Sequence, residues 1–176
     1  MKFSETKVKG AYLVELDRRE DHRGFFARSW CANEFEAQGL NPRVVQINVG
    51  FTTKRAGLRG LHYQLPPHAE AKTVRCTHGS VFDVVLDLRP DSPTHKQWEA
   101  FELSAENRKM LYVPEGCAHG YQTMTDNAEI EYLTSAFYAS GSATGVRFDD
   151  PAFKINWPLP LGSISDADRS WPDYVG

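Results

Sequence analysis

The stretch Val44-Val45-Gln46-Ile47-Asn48-Val49 alternates, placing Val45, Ile47 and Val49 on one face of an extended chain and Gln46 and Asn48 on the other. A strand with one apolar and one amide-bearing face suits a barrel wall whose second face lines a cavity or meets solvent. The stretch belongs to the run Arg43 to Phe51, and similar runs are Tyr12 to Leu16, Lys72 to Thr77, Val81 to Leu88, Trp98 to Leu103 and Glu129 to Tyr138. All are rich in β-branched and aromatic residues, and Gly, Pro, Asn or Asp separates most of them. Only two stretches read as helix. Asn33-Glu34-Phe35-Glu36-Ala37-Gln38 stops at Gly39, and Ser165-Asp166-Ala167-Asp168 has the capping-box spacing of a short helix. No helical run alternates with the strands, which disfavours a parallel α/β sheet. The expected fold class is all-β, an antiparallel sandwich or barrel with a few short helices.

The chain has 176 residues and no internal repeat, linker or low-complexity segment, so a single domain over 1–176 is expected. A domain of this size buries roughly 70% of its unfolded surface and needs no staple. Lys plus Arg number 20 against 23 Asp plus Glu, a formal net charge of −3. That balance argues against a nucleic-acid partner, although it leaves room for a local basic pocket. The first residues have no apolar core of the signal-peptide kind. The longest apolar run, Val81 to Leu88, is broken by Asp83 and Asp87, so no membrane span is expected. Cys31, Cys76 and Cys117 are odd in number and far apart, which favours small buried hydrophobes in a reducing, cytoplasmic setting.

Period-two alternation also sorts the reactive side chains. In Arg59-Gly60-Leu61-His62-Tyr63-Gln64, His62 and Gln64 share a face on which Gly60 leaves room. In Lys72-Thr73-Val74-Arg75-Cys76, Lys72 lies with Val74 and Cys76, opposite Arg75. Reactive types are densest from Arg59 to His78, with His119, Tyr121 and Tyr132 following. Small barrels that hold an ion commonly use a His-x-His pair, a following acid and a distant His. Here the pair would be His62-Tyr63-Gln64, Glu70 falls off the spacing, and Lys72 would repel a cation. Only His62 and His119 survive, short of the three good ligands a zinc site needs, so no metal is expected. The same groups suit proton transfer: histidine accepts a proton near neutral pH, lysine holds charge on a carbonyl oxygen, and tyrosine returns a proton. Each has a plain structural counterpart. His62 could be a satisfied structural histidine, Lys72 a solvated strand charge, Tyr132 a packed aromatic and Asp168 a helix-capping acid.

Arg59-Gly60-Leu61-His62-Tyr63-Gln64 also carries a family resemblance, together with Asp21-His22-Arg23-Gly24-Phe25-Phe26 and Gln46-Ile47-Asn48. Further blocks are Val81 through Arg89, Leu103-Ser104-Ala105-Glu106-Asn107, Val113 through Gly120, Asp149-Asp150-Pro151 and Ile155-Asn156-Trp157-Pro158. In these blocks, ordered over nearly the whole chain, the sequence resembles the dTDP-4-dehydrorhamnose 3,5-epimerase family. The resemblance implies a metal-free, cofactor-free cupin-type jelly roll acting on a nucleoside-diphosphate 4-keto-6-deoxy sugar. It also implies a homodimer with an N-terminal strand lent to the partner. It casts His62 as general base, Asp168 as its orienting acid, Tyr132 as proton donor and Lys72 as the cation beside the enolate. His119 would lie near the sugar ketone, and Tyr138 resembles a tyrosine near the base. Arg23, Gln46, Asn48 and Arg59 would meet nucleotide, diphosphate or sugar.

Three positions depart from the family pattern. Arg28 and Ala143 stand where the family usually has Glu, and Ala167 where it usually has Lys or Arg. All three are ligand-contact positions in that alignment. The departures therefore imply retained proton-transfer machinery with altered recognition, as in a relative acting on another sugar or inverting only one centre. Two other functions fit a histidine-bearing barrel: a metal-dependent cupin enzyme, which metal analysis would expose, and a non-catalytic sugar-binding cupin. The latter has no need of His62, Lys72, Tyr132 and Asp168 together.

Overall fold

A computed structural model describes residues 1–176. The elements run β1 (Lys2–Glu5), β2 (Tyr12–Glu15), β3 (Arg19–Asp21), β4 (Gly24–Phe26), α1 (Ala32–Ala37), β5 (Gln46–Thr52), β6 (Leu58–Gln64) and β7 (Lys72–His78). They continue with β8 (Ser80–Asp87), β9 (Trp98–Ser104), β10 (Met110–Val113), β11 (Cys117–Thr123), β12 (Ala128–Thr134), β13 (Ala143–Gly145) and α2 (Asp166–Arg169). Two antiparallel sheets form the body, one ordered β1-β2-β10-β7-β12-β5 and the other β13-β6-β11-β8-β9. The expected all-β class is what forms, and each of the six expected strand runs contains a strand.

The space between the sheets is apolar at one end and polar at the other. Along β7 the inward stripe runs Cys76, Val74, Lys72; along β12 it runs Ala128, Ile130, Tyr132, Thr134. The apolar end joins Val81, Val85, Leu103, Leu111 and Tyr121 in the main core. A second cluster, around Leu61, Leu86 and Phe153, lies beneath the segment that follows β13. Outside the larger sheet, α1 buries Phe35 against Val14 and Tyr112. Two of the cysteines, Cys76 and Cys117, are buried, and burial pushes the Cys117 thiol up to about 12, as befits inert packing groups.

The Val44–Val49 alternation is real, but its faces are used in an unusual sense. Gln46 and Asn48 turn into the space between the sheets, while Ile47 and Val49 are 60% and 61% exposed. The reason is position: β5 ends its sheet, and no helix or loop covers its outer face as α1 covers the other end.

One expectation needs correcting. The run from Glu129 to Tyr138 leaves the sheet after Thr134. There Gln46 Oε1 accepts the Tyr138 N–H at 2.6 Å and Gln64 Oε1 accepts the Ala139 N–H at 2.7 Å, drawing the chain into a loop. In the single chain the N-terminal strand, expected to be lent to a partner, pairs with β2 from Lys2↔Glu15 to Glu5↔Tyr12. It is pinned there by the Met1 ammonium on Glu34 at 2.6 Å and by Phe3 packing edge-on against Phe35. The element that stands apart from both sheets is the β3–β4 hairpin, whose Phe25 ring has the Arg18 and Arg108 guanidinium groups 4.8 and 5.0 Å from its centre.

Candidate active site

The polar end of the interlayer space opens as a cavity of about 1000 Å³, ample for a nucleotide-sized ligand. Its two walls come from different sheets: β6 and β11 on one side, β5, β7 and β12 on the other. His62 on β6 stands directly across from His119 on β11. Those strands can approach closely because both carry glycine at the seam. A Cβ on Gly60 would lie 2.7 Å from Gly120 Cα, and one on Gly120 would lie 2.7 Å from the Arg59 carbonyl oxygen. Gly60 also has φ +112, a conformation that L side chains resist.

His62 is partnered from far along the chain. Ser165 caps α2 by accepting the Asp168 N–H at 3.1 Å, the geometry read from the capping-box spacing. That cap leaves the Asp168 carboxylate free to face β6. Its Oδ1 lies 2.5 Å from His62 Nε2, and its Oδ2 accepts the Gly60 N–H at 3.2 Å. Burial alone would raise the Asp168 pKa; the bonds from His62, Gly60 and Ser165 outweigh it and hold the carboxyl below its ordinary range. With Nε2 taken, Nδ1 is the nitrogen of His62 left for a ligand.

Lys72 is buried, which overturns the solvated-charge alternative. Its Nζ lies 3.2 Å from Glu70 Oε1 and donates to the His62 carbonyl at 3.2 Å, tying the two sheets together. Burial pushes its pKa down, against the pull of Glu70 and, more weakly, Asp83. Burial pushes the Tyr132 phenol up, and Glu70 adds to the rise. Arg59 is braced against β5, Nε donating to Thr52 Oγ1 at 3.1 Å and Nη2 to the Phe51 carbonyl at 2.9 Å. His119 is buried, with Nε2 2.8 Å from Asp83 Oδ1. Gln46, Asn48 and Tyr138 complete the set brought to the cavity, Tyr138 at its exposed rim.

Arg23 is the exception. It sits on the β3–β4 hairpin, 2.6 Å from Asp21 and away from its own chain's cavity. Arg28 is outside as well, paired at 3.0 Å with the Glu34 that also holds Met1. Ala143 and Ala167, by contrast, both line the cavity.

Glu70, Asp83 and Trp171 are site residues that sequence reasoning passed over. Asp83 had a signal, since Val81, Asp83 and Val85 share the inward face of β8. The buried side-chain polar atoms without a partner are Asp83 Oδ2, the Tyr121 hydroxyl and Trp171 Nε1. Tyr121 and Trp171 line the cavity, and Asp83 lies behind His119. Tyr121 and Trp171 thus bring unsatisfied groups to the cavity wall, with the bare Asp83 oxygen beneath it. The Gln64 amide is spent on the His68 and Phe137 carbonyls, and no group of three His, Cys, Asp or Glu side chains is arranged to hold an ion.

Comparison with known proteins agrees with this geometry. The family model for dTDP-4-dehydrorhamnose 3,5-epimerase matches residues 5–175. A dTDP-4-dehydrorhamnose 3,5-epimerase of Shigella flexneri is 40% identical over 176 residues, covering 99% of this chain and 97% of that one. The crystal structure of dTDP-4-dehydrorhamnose 3,5-epimerase from Elizabethkingia anophelis NUHP1 is similar with a TM-score of 0.95 at 38% identity, over 99% of this chain and 96% of that one. A 4-keto-6-deoxy sugar epimerase from the novobiocin biosynthetic gene cluster of Streptomyces spheroides is similar with a TM-score of 0.91 at 33% identity, over 98% and 87%.

Proposed function

The chain belongs to the dTDP-4-dehydrorhamnose 3,5-epimerase family, and from that premise we propose that it inverts C3, C5 or both of a nucleoside-diphosphate 4-keto-6-deoxy sugar. His62 removes the proton beside the C4 ketone, and Tyr132 returns one from the opposite face. The observation that carries these roles is their placement, His62 on the smaller sheet and Tyr132 on the larger, with the cavity between them. A carbon held there loses its proton to one wall and regains one from the other, which is inversion.

Protons and charge balance as follows. The C–H proton passes to His62 Nδ1 and the electron pair moves onto the C4 oxygen. Lys72 Nζ stabilises that enolate, and the Tyr132 hydroxyl then protonates the carbon. His62 leaves as imidazolium and Tyr132 as phenolate, and both reset through water at the cavity mouth. Asp168 holds the His62 ring and stabilises the imidazolium, the base-and-orienter arrangement of a catalytic triad. Arg59, Gln46, Asn48 and Tyr138 bind nucleotide, diphosphate or sugar, with His119 beside the ketone.

Ala143 and Ala167 leave the cavity wall without side-chain charge where the family usually has one. We therefore read the chain as a relative with altered nucleotide or sugar preference. Proton NMR in deuterated water, with dTDP-, UDP-, CDP- and GDP-linked 4-keto-6-deoxy sugars, reports base preference and each exchanging carbon at once. Solvent deuterium should enter C3, C5 or both of at least one of them. Equal turnover of the dTDP sugar with both centres inverted would remove the case for altered recognition.

The working unit is proposed to be a homodimer. Exposed Ile47, Val49 and Phe51 on an edge strand, with Phe26 on the projecting hairpin, give a second copy an apolar face to cover. The hairpin is then the element that carries Arg23 to the partner's cavity. Mixing inactive Arg23→Ala and His62→Ala proteins tests this. If Arg23 acts across the interface, each mixed dimer contains one complete site and activity returns; an Arg23 that serves its own chain gives none.

A further inference from the structure

We propose that Asp83 is a positioning residue of this reaction: from beneath the cavity it holds the His119 ring with Nε2 protonated, so that Nδ1 is the only ring nitrogen a ligand can meet. This rests on the epimerase reading of the cavity and adds to it a residue outside the cavity lining.

Asp83 is poorly explained as a packing residue. Its neighbours on the inward face of β8 are Val81 and Val85, both fully buried, and Asp83 is itself fully buried. One of its oxygens has no partner at all. A buried carboxylate half-satisfied among valines is costly, and a third valine would continue the stripe at no such cost. The only hydrogen bond the Asp83 carboxylate makes is the 2.8 Å contact from Oδ1 to His119 Nε2. An ionised carboxylate can only accept, so that contact requires the proton on Nε2. His119 Nδ1 makes no hydrogen bond within the chain, and the ring lines the cavity in register with His62 on the adjacent strand. Asp83 therefore fixes Nδ1 as the nitrogen offered to a sugar in the same layer as the base, an acceptor while the ring is neutral. It also lies close enough to Lys72 to help keep that ammonium charged.

The tautomer is read directly on the unaltered protein. A ¹⁵N–¹H spectrum of ring-labelled enzyme, free and with dTDP, should show the His119 proton on Nε2; a proton on Nδ1 of the neutral ring overturns the proposal. Asp83→Asn keeps the shape and removes the obligate acceptor. It should slow deuterium exchange at the sugar carbons about 10- to 100-fold, as loss of the partner behind a metal-bound histidine does, and release the tautomer. In a His119→Gln background the same substitution should cost less than about 3-fold, because its effect runs through the ring. Undiminished exchange in Asp83→Asn, or an equal loss with and without His119, overturns the proposal. Should Asp83→Asn fail to fold, the spectrum of the unaltered protein decides alone. Exchange that survives in His62→Ala would instead bring down the epimerase roles themselves, so the two failures are distinct.

Discussion

His62 with Asp168 and His119 with Asp83 are the same chemical pair, standing on adjacent strands of one sheet, in opposite settings. The His62 side chain is 47% exposed and that of His119 8%. Asp168 arrives from a four-residue helix near the end of the chain and has both oxygens bonded, to His62 and to the Gly60 N–H. Asp83 comes from the neighbouring strand β8 and keeps one oxygen bare. A base that turns over must return its proton to water, and only the open pair can do that. The closed pair is fixed by a rigid sheet, which suits holding a ligand in place. Exposure, more than residue type, separates the two roles.

The largest effects should fall on the open pair. His62→Ala removes the base and is expected to cut exchange at both carbons by at least about 10³-fold, with the fold intact, in proton NMR in deuterated water. Asp168→Asn keeps the shape but frees the ring to adopt the wrong tautomer, so a loss of about 10²- to 10³-fold is expected. The same change at Asp83 should cost less. A reversed order would mean that the buried pair supplies the base.

Tyr132→Phe separates the two walls. Deprotonation by His62 needs no acid opposite, so exchange should continue while inversion falls about 10²-fold. Equal loss of both, followed by NMR of the same sample, would count against Tyr132 as donor.

An alkaline limb tests the cation that serves both pairs. Lys72 must be protonated to hold the enolate, and burial lowers its pKa, so its charge is lost at lower pH than that of a free lysine. Tyr132 must also keep its proton, but burial raises its pKa, so it holds on longer than a free tyrosine. We assign the alkaline fall in exchange to Lys72, which lies beside Glu70 and within reach of Asp83. Glu70→Gln removes the nearer carboxylate that opposes the lowering, and the limb should move to lower pH. It should stay in place in Tyr132→Phe; a limb that vanishes there would assign it to the phenol.

Much of this was readable from period-two alternation, which sorted Lys72 with Val74, His62 with Gln64 and Gln46 with Asn48. Alternation assigns faces but not sides. Ile47 and Val49 look like core residues in the sequence because nothing local marks β5 as the last strand of its sheet. The aromatic pair Phe137 and Tyr138 has the same β propensity inside a strand as after one, so the loop that places Tyr138 at the rim looks like strand in the sequence. Glu70 falls off the spacing of a metal ligand, yet two residues before Lys72 is where an extended chain puts a same-face neighbour. Trp171 lies in a segment with no period at all. Its place beside Gly145 depends on a crowding that only the folded chain reveals, since a Cβ there would lie 2.6 Å from the indole.

The smallest effect expected is at the cap, and it sharpens the contrast between the pairs. Ser165→Ala removes the acceptor of the Asp168 N–H, a loss of about 1 kcal/mol for an N-cap. The chain beyond α2 stays anchored by Arg147 on Asp173 at 2.6 Å and by the Tyr174 N–H on Asp150 Oδ2 at 2.7 Å, so the loosening is confined to the helix. Amide hydrogen exchange at Asp168 and Gly60 should quicken by up to about tenfold, with those of Asp83 and His119 unchanged. Sugar-carbon exchange should fall less than about tenfold, because Asp168 still reaches His62 for most of the time. If the amides of both pairs quickened together, the helix and the sheet would be one cooperative unit. The distinction between an adaptable base and a fixed positioning pair would then rest on exposure alone.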